Sequence, residues 1–277
     1  MSEFEQAPLE IRLLGGFAVS VGGSPVPDDD WRLRRAKSLM KLLALTPERR
    51  LHREQLVEWL WPGDEPTGKG LHQVMYTARR ALGEEAGARL SLRDDVVTLG
   101  GDALRVDVDG FEAAAAAARE EPGLERHQAA IELYTGELLP EDRYEDWTTA
   151  RRESLRETYK GLLVELADLQ AAAGDPTAAI ETLQRAVIED PLFEVAHRGL
   201  MRLFTDAGRR QQALWQYESL REALRRELEA DPDPETRALY RELLAGTVET
   251  GETPPPPRPW RAASPTSSRA SWGAAAS

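Results

Sequence analysis

The side chains with the most chemistry to offer gather in one stretch, residues 65–83, which reads EPTGKGLHQVMYTARRALG. Lys69, His72, Gln73, Tyr76, Thr77, Arg79 and Arg80 supply cationic, amide, imidazole and hydroxyl groups within a dozen positions. That set suits recognition of nucleic acid rather than bond-making. Lys and Arg meet phosphates and guanine edges, and Gln can make two bonds to adenine. The spacing predicts a helix from about Gly70, with Leu71, Met75, Ala78 and Leu82 along one apolar stripe. Lys69, Gln73, Tyr76 and Arg80 then fall on the opposite side, with His72, Thr77 and Arg79 on the flanks. An ordinary solvated surface helix would carry the same face, so the surrounding elements have to decide.

Those elements have a recognisable order. Residues 11–14 and 17–21 are two short β-type runs broken by Gly15-Gly16, and a Gly/Pro/Asp loop at 22–30 follows. From Arg34 to Leu45 the pattern is helical, with Leu39, Leu42 and Leu43 facing inward and Arg34, Arg35, Lys37 and Lys41 facing out. Thr46-Pro47 stops that helix. Residues 52–60 form a second short helix that ends at Trp61-Pro62-Gly63. After the third helix, residues 89–92 and 96–99 predict a hairpin around Arg93-Asp94-Asp95, and 104–108 is a candidate further strand. Strands, three helices and a hairpin make a winged helix with an extra N-terminal sheet, in which the third helix reads the groove and the hairpin is the wing.

Beyond Phe111 the composition turns to Ala, Leu, Glu and Arg with helical periodicity. Gly174, Ala179, Ile180 and Leu183 recur 34 positions later as Gly208, Ala213, Leu214 and Tyr217, the period of a tetratricopeptide hairpin. Helices are expected at 151–173, 176–189, 192–207, 209–229 and 234–245, stacked because one helical pair cannot bury its apolar face alone. From about 247 the chain is rich in Pro, Ser, Thr and Ala, too poor in apolar residues to offset the entropy of folding. The expected fold class is mainly α with small β: a disordered start (1–9), a winged helix-turn-helix (10–108; of OmpR/PhoB type by the family resemblance given below), an all-α tetratricopeptide-like domain (109–246) and a disordered tail (247–277).

Composition narrows the function. The chain of 277 residues has no Cys, which excludes disulfides, thiolate zinc sites and Cys nucleophiles. No secretory signal or membrane-length apolar run is present, so a cytoplasmic protein with no membrane partner is expected. The net charge of −13 is uneven: residues 1–105 hold 15 Lys+Arg against 16 Asp+Glu, leaving 20 against 32 for the rest. The near-neutral first part can present a local basic face to DNA. Residues 63–70 (GDEPTGKG) approach a phosphate-binding loop, but Gly70 stands where the magnesium-binding hydroxyl belongs, and Asp64 and Glu65 would repel a triphosphate. His52, His72, His127 and His197 lack metal-ligand spacing. Asp28-Asp29-Asp30 reads as a solvated loop, and no nucleophile has a partnered base. No enzyme, cofactor or metal is expected.

The motifs IRLLGGFAVSVGG, WRLRRAKSLMKLLAL, HREQLVEWLWPGDEP, LHQVMYTARRALG, DVDGFEAAAAAA and YTGELLPEDRYEDWTTARRESL together resemble the Streptomyces antibiotic regulatory protein family over residues 10–245. That family joins an OmpR-type winged helix to a bacterial transcriptional activator domain. The resemblance implies a transcriptional activator that binds double-stranded DNA as a homodimer on promoter direct repeats and engages RNA polymerase. It implies polymerase contact through the loop after the second helix, at Trp61, Asp64 and Glu65, although a plain solvent loop would look the same. Phosphate contacts are expected from Arg34, Arg35 and Lys37 in the first helix and from Arg89 or Arg93 in the wing, with structural salt pairing as the competing role for each. The chain departs from the family at Thr77, where an Arg is usual. The alternative reading is a protein-interaction adaptor with tetratricopeptide-like helices and a winged helix of weak or no specific DNA binding.

Overall fold

In the computed structural model the described residues are 7–63 and 70–246. Lys69, Asp64, Glu65 and the tail from 247 lie outside them. The chain runs β1 (Leu9–Arg12), β2 (Ala18–Val21), β3 (Ser24–Pro25), α1 (Arg34–Leu45), β4 (Arg50–His52), α2 (Arg53–Leu60), α3 (Gly70–Gly87), β5 (Leu90–Arg93), β6 (Val96–Leu99) and β7 (Leu104–Val106). Helices follow: α4 (Asp107–Glu120), α5 (Leu124–Leu133), α6 (Asp146–Ala172), α7 (Pro176–Glu189), α8 (Glu194–Asp206), α9 (Arg210–Leu228) and α10 (Pro234–Ala245). The fold is a winged helix followed by an all-α, tetratricopeptide-like array.

The first sheet has the order β3-β2-β1-β7. β1 and β2 pair antiparallel with Ile11 opposite Val19, while β7 joins β1 in parallel, delivering the chain directly into α4. The hairpin β5–β6 gains a third strand, β4, giving the order β4-β6-β5. Residues 50–52 carry too short a pattern to announce a strand, and they form one by pairing with residues 96–98 far along the chain.

The helix bounds follow local chemistry. α1 buries Leu39, Met40, Leu42 and Leu43, and its end is closed by Thr46, whose hydroxyl donates to Leu42 O at 2.7 Å before Pro47. α7 and α10 each start at an Asp-Pro pair: the Asp175 and Asp233 carboxylates accept from Ala178 N and Thr236 N at 3.0 and 2.8 Å. The 34-residue echo is structural. Gly174 and Gly208 take positive φ (84° and 70°) where α6 and α8 end, and Ala179 and Ala213 are fully buried, so the following helix can pack closely. α6 begins at Asp146, earlier than the expected 151, because Thr148 Oγ1 donates to Glu145 O at 2.8 Å and holds the first turn.

The two parts are knitted together rather than strung on a linker. Leu139 N donates to Leu13 O and Gly15 N to Glu137 O, both at 2.9 Å. At this crossing the backbones nearly touch: a Cβ on Gly136 would sit 2.9 Å from Gly15 Cα, so glycine is required there. The Asp107 carboxylate accepts from Leu13 N and Leu14 N at 2.9 Å and from Val108 N at 2.8 Å. Burial nonetheless lifts its pKa above the usual aspartate value, outweighing those three amides.

Lys41 corrects an expectation. Its helical position predicts exposure, yet it is 4% exposed, pairs with Asp142 and Glu141 at 2.5 and 3.0 Å, and lies over the Phe17 ring. No local pattern reveals that an acidic segment about a hundred residues away covers this side of α1. Among the described residues, no helix is long and apolar enough to cross a membrane.

Candidate nucleic-acid interface

α3 has the two faces its spacing predicts. Leu71, Val74, Met75, Ala78 and Leu82 are buried, while His72, Gln73, Tyr76, Arg79 and Arg80 are exposed. Tyr76 is 60% exposed, and Arg80, also exposed, makes no ion pair among the described residues. At Gly83 the backbone leaves the helical region (φ 80°), and Gly87 packs so tightly that a Cβ there would lie 2.5 Å from Arg79 O. These glycines turn the chain from α3 into the hairpin β5–β6.

Two flank residues play different parts. Arg79 is exposed, but its Nε donates to Leu90 O at 2.8 Å, fixing α3 against β5. Thr77, expected on a groove-facing flank, is instead buried at 6% exposure, with its hydroxyl donating to Gln73 O at 2.9 Å. The buried face takes in Val74 and Thr77 beyond the four leucine, methionine and alanine positions, and a hydroxyl that satisfies itself on the preceding turn tolerates burial. Lys69 lies outside the described residues.

The wing turns through Asp94 and Asp95, both at positive φ (49° and 57°), which suits a two-residue hairpin turn. Arg53 N donates to Asp95 O at 2.7 Å, tying α2 to the wing tip. Arg93 is exposed at the tip. Arg89 is not available in the way expected. It is half-buried under the N-terminal segment, with Nη2 donating to Ala7 O at 2.5 Å and with Nε and Nη1 buried and unpartnered. Its place at the foot of the hairpin, beside Gly101, sets it against the N-terminal segment.

At the start of α1, Arg34 is exposed but reaches Glu145 at 3.2 Å, Arg35 donates from Nε to Leu60 O at 2.9 Å, and Lys37 pairs with Asp28. The Arg35 guanidinium also lies 5.0 Å over the Trp61 ring, so both residues hold the end of α2. Asp64 and Glu65, the other two expected polymerase-contact residues, lie outside the described residues. Arg34, Arg35, Gln73, Trp61, Glu145 and Trp147 line one cleft. The structure thus brings the start of α1 alongside α3, and adds Glu145 and Trp147 from the helical part. Sequence reasoning missed those two. The acidic run PEDRYED was visible, but nothing local said where it docks.

Among the described residues, no group of three or more His, Asp or Glu side chains is arranged to hold a metal. The face offers hydrogen-bond donors, one aromatic ring and positive charge, the set for docking on a polyanion, with no nucleophile–base pair described in it.

A family model described as the bacterial transcriptional activator domain matches residues 106–244. Curated proteins named transcriptional regulatory protein EmbR, from Mycobacterium tuberculosis and Mycobacterium bovis, are 27% identical over 256 residues, covering 85% of this chain and 63% of theirs. The chain therefore spans less than two thirds of the length of these relatives. A solved structure of Mycobacterium tuberculosis EmbR, in complex with a low affinity phosphopeptide, superposes with a TM-score of 0.72 at 23% identity, over 87% of this chain and 66% of that one. It shares the fold.

Proposed function

This chain belongs to the bacterial transcriptional activator domain family, one of transcriptional regulators rather than enzymes, and on that premise we propose that it binds promoter DNA through α3. The observation that carries the reading is the exposed row Gln73, Tyr76 and Arg80 on a helix whose other face is fully buried. His72 and Arg79 extend that row as base or phosphate contacts, Lys69, outside the described residues, is given the same role on its sequence position alone, and Arg34, Arg35 and Arg93 supply phosphate contacts. Lys37 can join them only by leaving Asp28. The winged helix, residues 10–108, recognises the operator. The helical domain, 109–246, carries activation.

The finer reading is an activator in the cytoplasm that binds direct repeats as a homodimer and presents the loop containing Trp61, Asp64 and Glu65 to RNA polymerase. It rests on the family and on the position of Trp61 at the end of α2, beside the reading helix. A second reading, a protein-interaction adaptor, is favoured by one observation: the wing tip is Asp94-Asp95 and Arg89 is withdrawn, which weakens the wing as a DNA contact.

Gel-shift selection of genomic fragments with the full chain, at two salt concentrations, separates the two. Retention of a few fragments sharing a direct repeat at the higher salt supports the regulator. Uniform loss of all binding on adding salt supports the adaptor.

A further inference from the structure

We propose that Glu145 of the helical domain is a built-in competitor for DNA phosphate at Arg34, so that DNA binding and the joint between the two domains are coupled. This inference rests on the DNA-binding reading above. Both partners have anchored backbones. Arg34 stands in the first turn of α1, next to Arg35, which is tied to Leu60 O. Glu145 precedes α6, its N–H donating to Asp142 O at 3.1 Å and its carbonyl accepting from Thr148 Oγ1 at 2.8 Å. Asp142 is itself clamped to Lys41 at 2.5 Å. The exchange therefore needs only the two side chains to move.

They meet beside the reading helix. Arg34 and Glu145 line the same cleft as Gln73, with 3.2 Å between Nη2 and Oε1. A strand of DNA lying along α3 brings its phosphates past this cleft, where the Arg34 side chain, 78% exposed, can turn to meet them. One guanidinium then has two anionic claimants. While it serves Glu145 it is withheld from phosphate. Once it serves phosphate, Glu145 is released and the entry to α6 loses one of its ties to α1.

The exchange makes a signed demand on the full chain. Glu145→Gln should tighten binding to a retained promoter fragment about two- to five-fold, in keeping with the modest strength of an exposed pair. The log–log salt slope should change by much less than the ~0.9 of one phosphate, because Arg34 meets the same phosphate in both complexes. Asp146→Asn, which removes the same charge one residue away without touching Arg34, controls for simple loss of repulsion. Arg34→Ala should weaken binding, and Arg34→Ala/Glu145→Gln should bind like Arg34→Ala. Equal effects of Glu145→Gln and Asp146→Asn, or additivity in the double variant, would overturn the competition. If the wild-type chain binds no fragment at either salt, the DNA-binding reading itself fails; if it binds and Glu145→Gln matches it, only the competition fails.

Discussion

Lys41 Nζ and Asp142 Oδ2 stand 2.5 Å apart with both side chains buried, and this one pair joins α1 of the winged helix to the segment that leads into α6. Phe17 N donates to Glu141, the second acid on Lys41, so the N-terminal sheet enters the same knot. The joint also ties α3 to the helical domain, because α1 packs directly on α3.

Removing Lys41 should therefore be costly. Lys41→Met leaves Asp142 and Glu141 facing each other without a cation, and a loss of about 3–5 kcal/mol of unfolding free energy is expected. Urea denaturation checks it. Lys41→Met/Asp142→Leu, which removes the buried charge on both sides, should recover much of that loss, since a buried pair is worth little against apolar residues of similar volume.

Arg80→Ala should weaken binding to a selected fragment by about 1–3 kcal/mol if the guanidinium reads a base edge. The loss should be smaller on a scrambled duplex. Arg93→Ala, if Arg93 meets only phosphate, should weaken both duplexes alike and reduce the salt slope by about 1. Fluorescence anisotropy titrations at several salt concentrations distinguish the two roles.

Thr77→Val should leave DNA affinity and sequence preference unchanged, because the side chain is buried behind the reading face. The cost is about 1 kcal/mol of stability or less, as the hydroxyl bonds back to the preceding helical turn. A change of operator preference in this variant would mean that α3 is rotated relative to the face described.

The tie between α6 and α7 predicts a pH dependence. Burial by itself would raise the Asp190 carboxyl, but Lys160 at 2.6 Å, with Leu192 N, carries its pKa below 3.8. Lys160 shifts in the matching direction, above 10.5, because Asp190 and Glu157 outweigh its own burial. A carboxyl lowered on folding contributes stability that is present above its unfolded pKa and lost as pH falls through the folded one. Asp190→Asn should thus reduce stability at neutral pH and flatten the acid limb below about pH 4 in chemical denaturation curves.

Much of this architecture was legible because its signals are local. The bounds of α1, α7 and α10 follow from an apolar stripe ended by Thr46-Pro47 and from Asp-Pro caps, and the structure places them at Arg34–Leu45, Pro176–Glu189 and Pro234–Ala245. The exposed face of α3 was legible for the same reason. What stayed hidden depends on partners distant in sequence. Lys41 is covered by residues 141–142, Arg89 is held by Ala7, and Arg34 reaches Glu145. Helical phase assigns an arginine or lysine to the surface, but it does not say which acidic segment will fold over it. β4 was missed likewise, since its three residues become a strand only against β6.

The most direct measurement is the affinity of the full chain for a selected promoter fragment and for a scrambled duplex of equal length, each at two salt concentrations. If α3 reads base edges, the selected fragment binds about 10³-fold or more tighter, and the ratio persists as salt rises, because base contacts do not depend on released counterions. Equal affinities that fall together with salt would contradict it, leaving α3 a charged surface helix and the chain an adaptor.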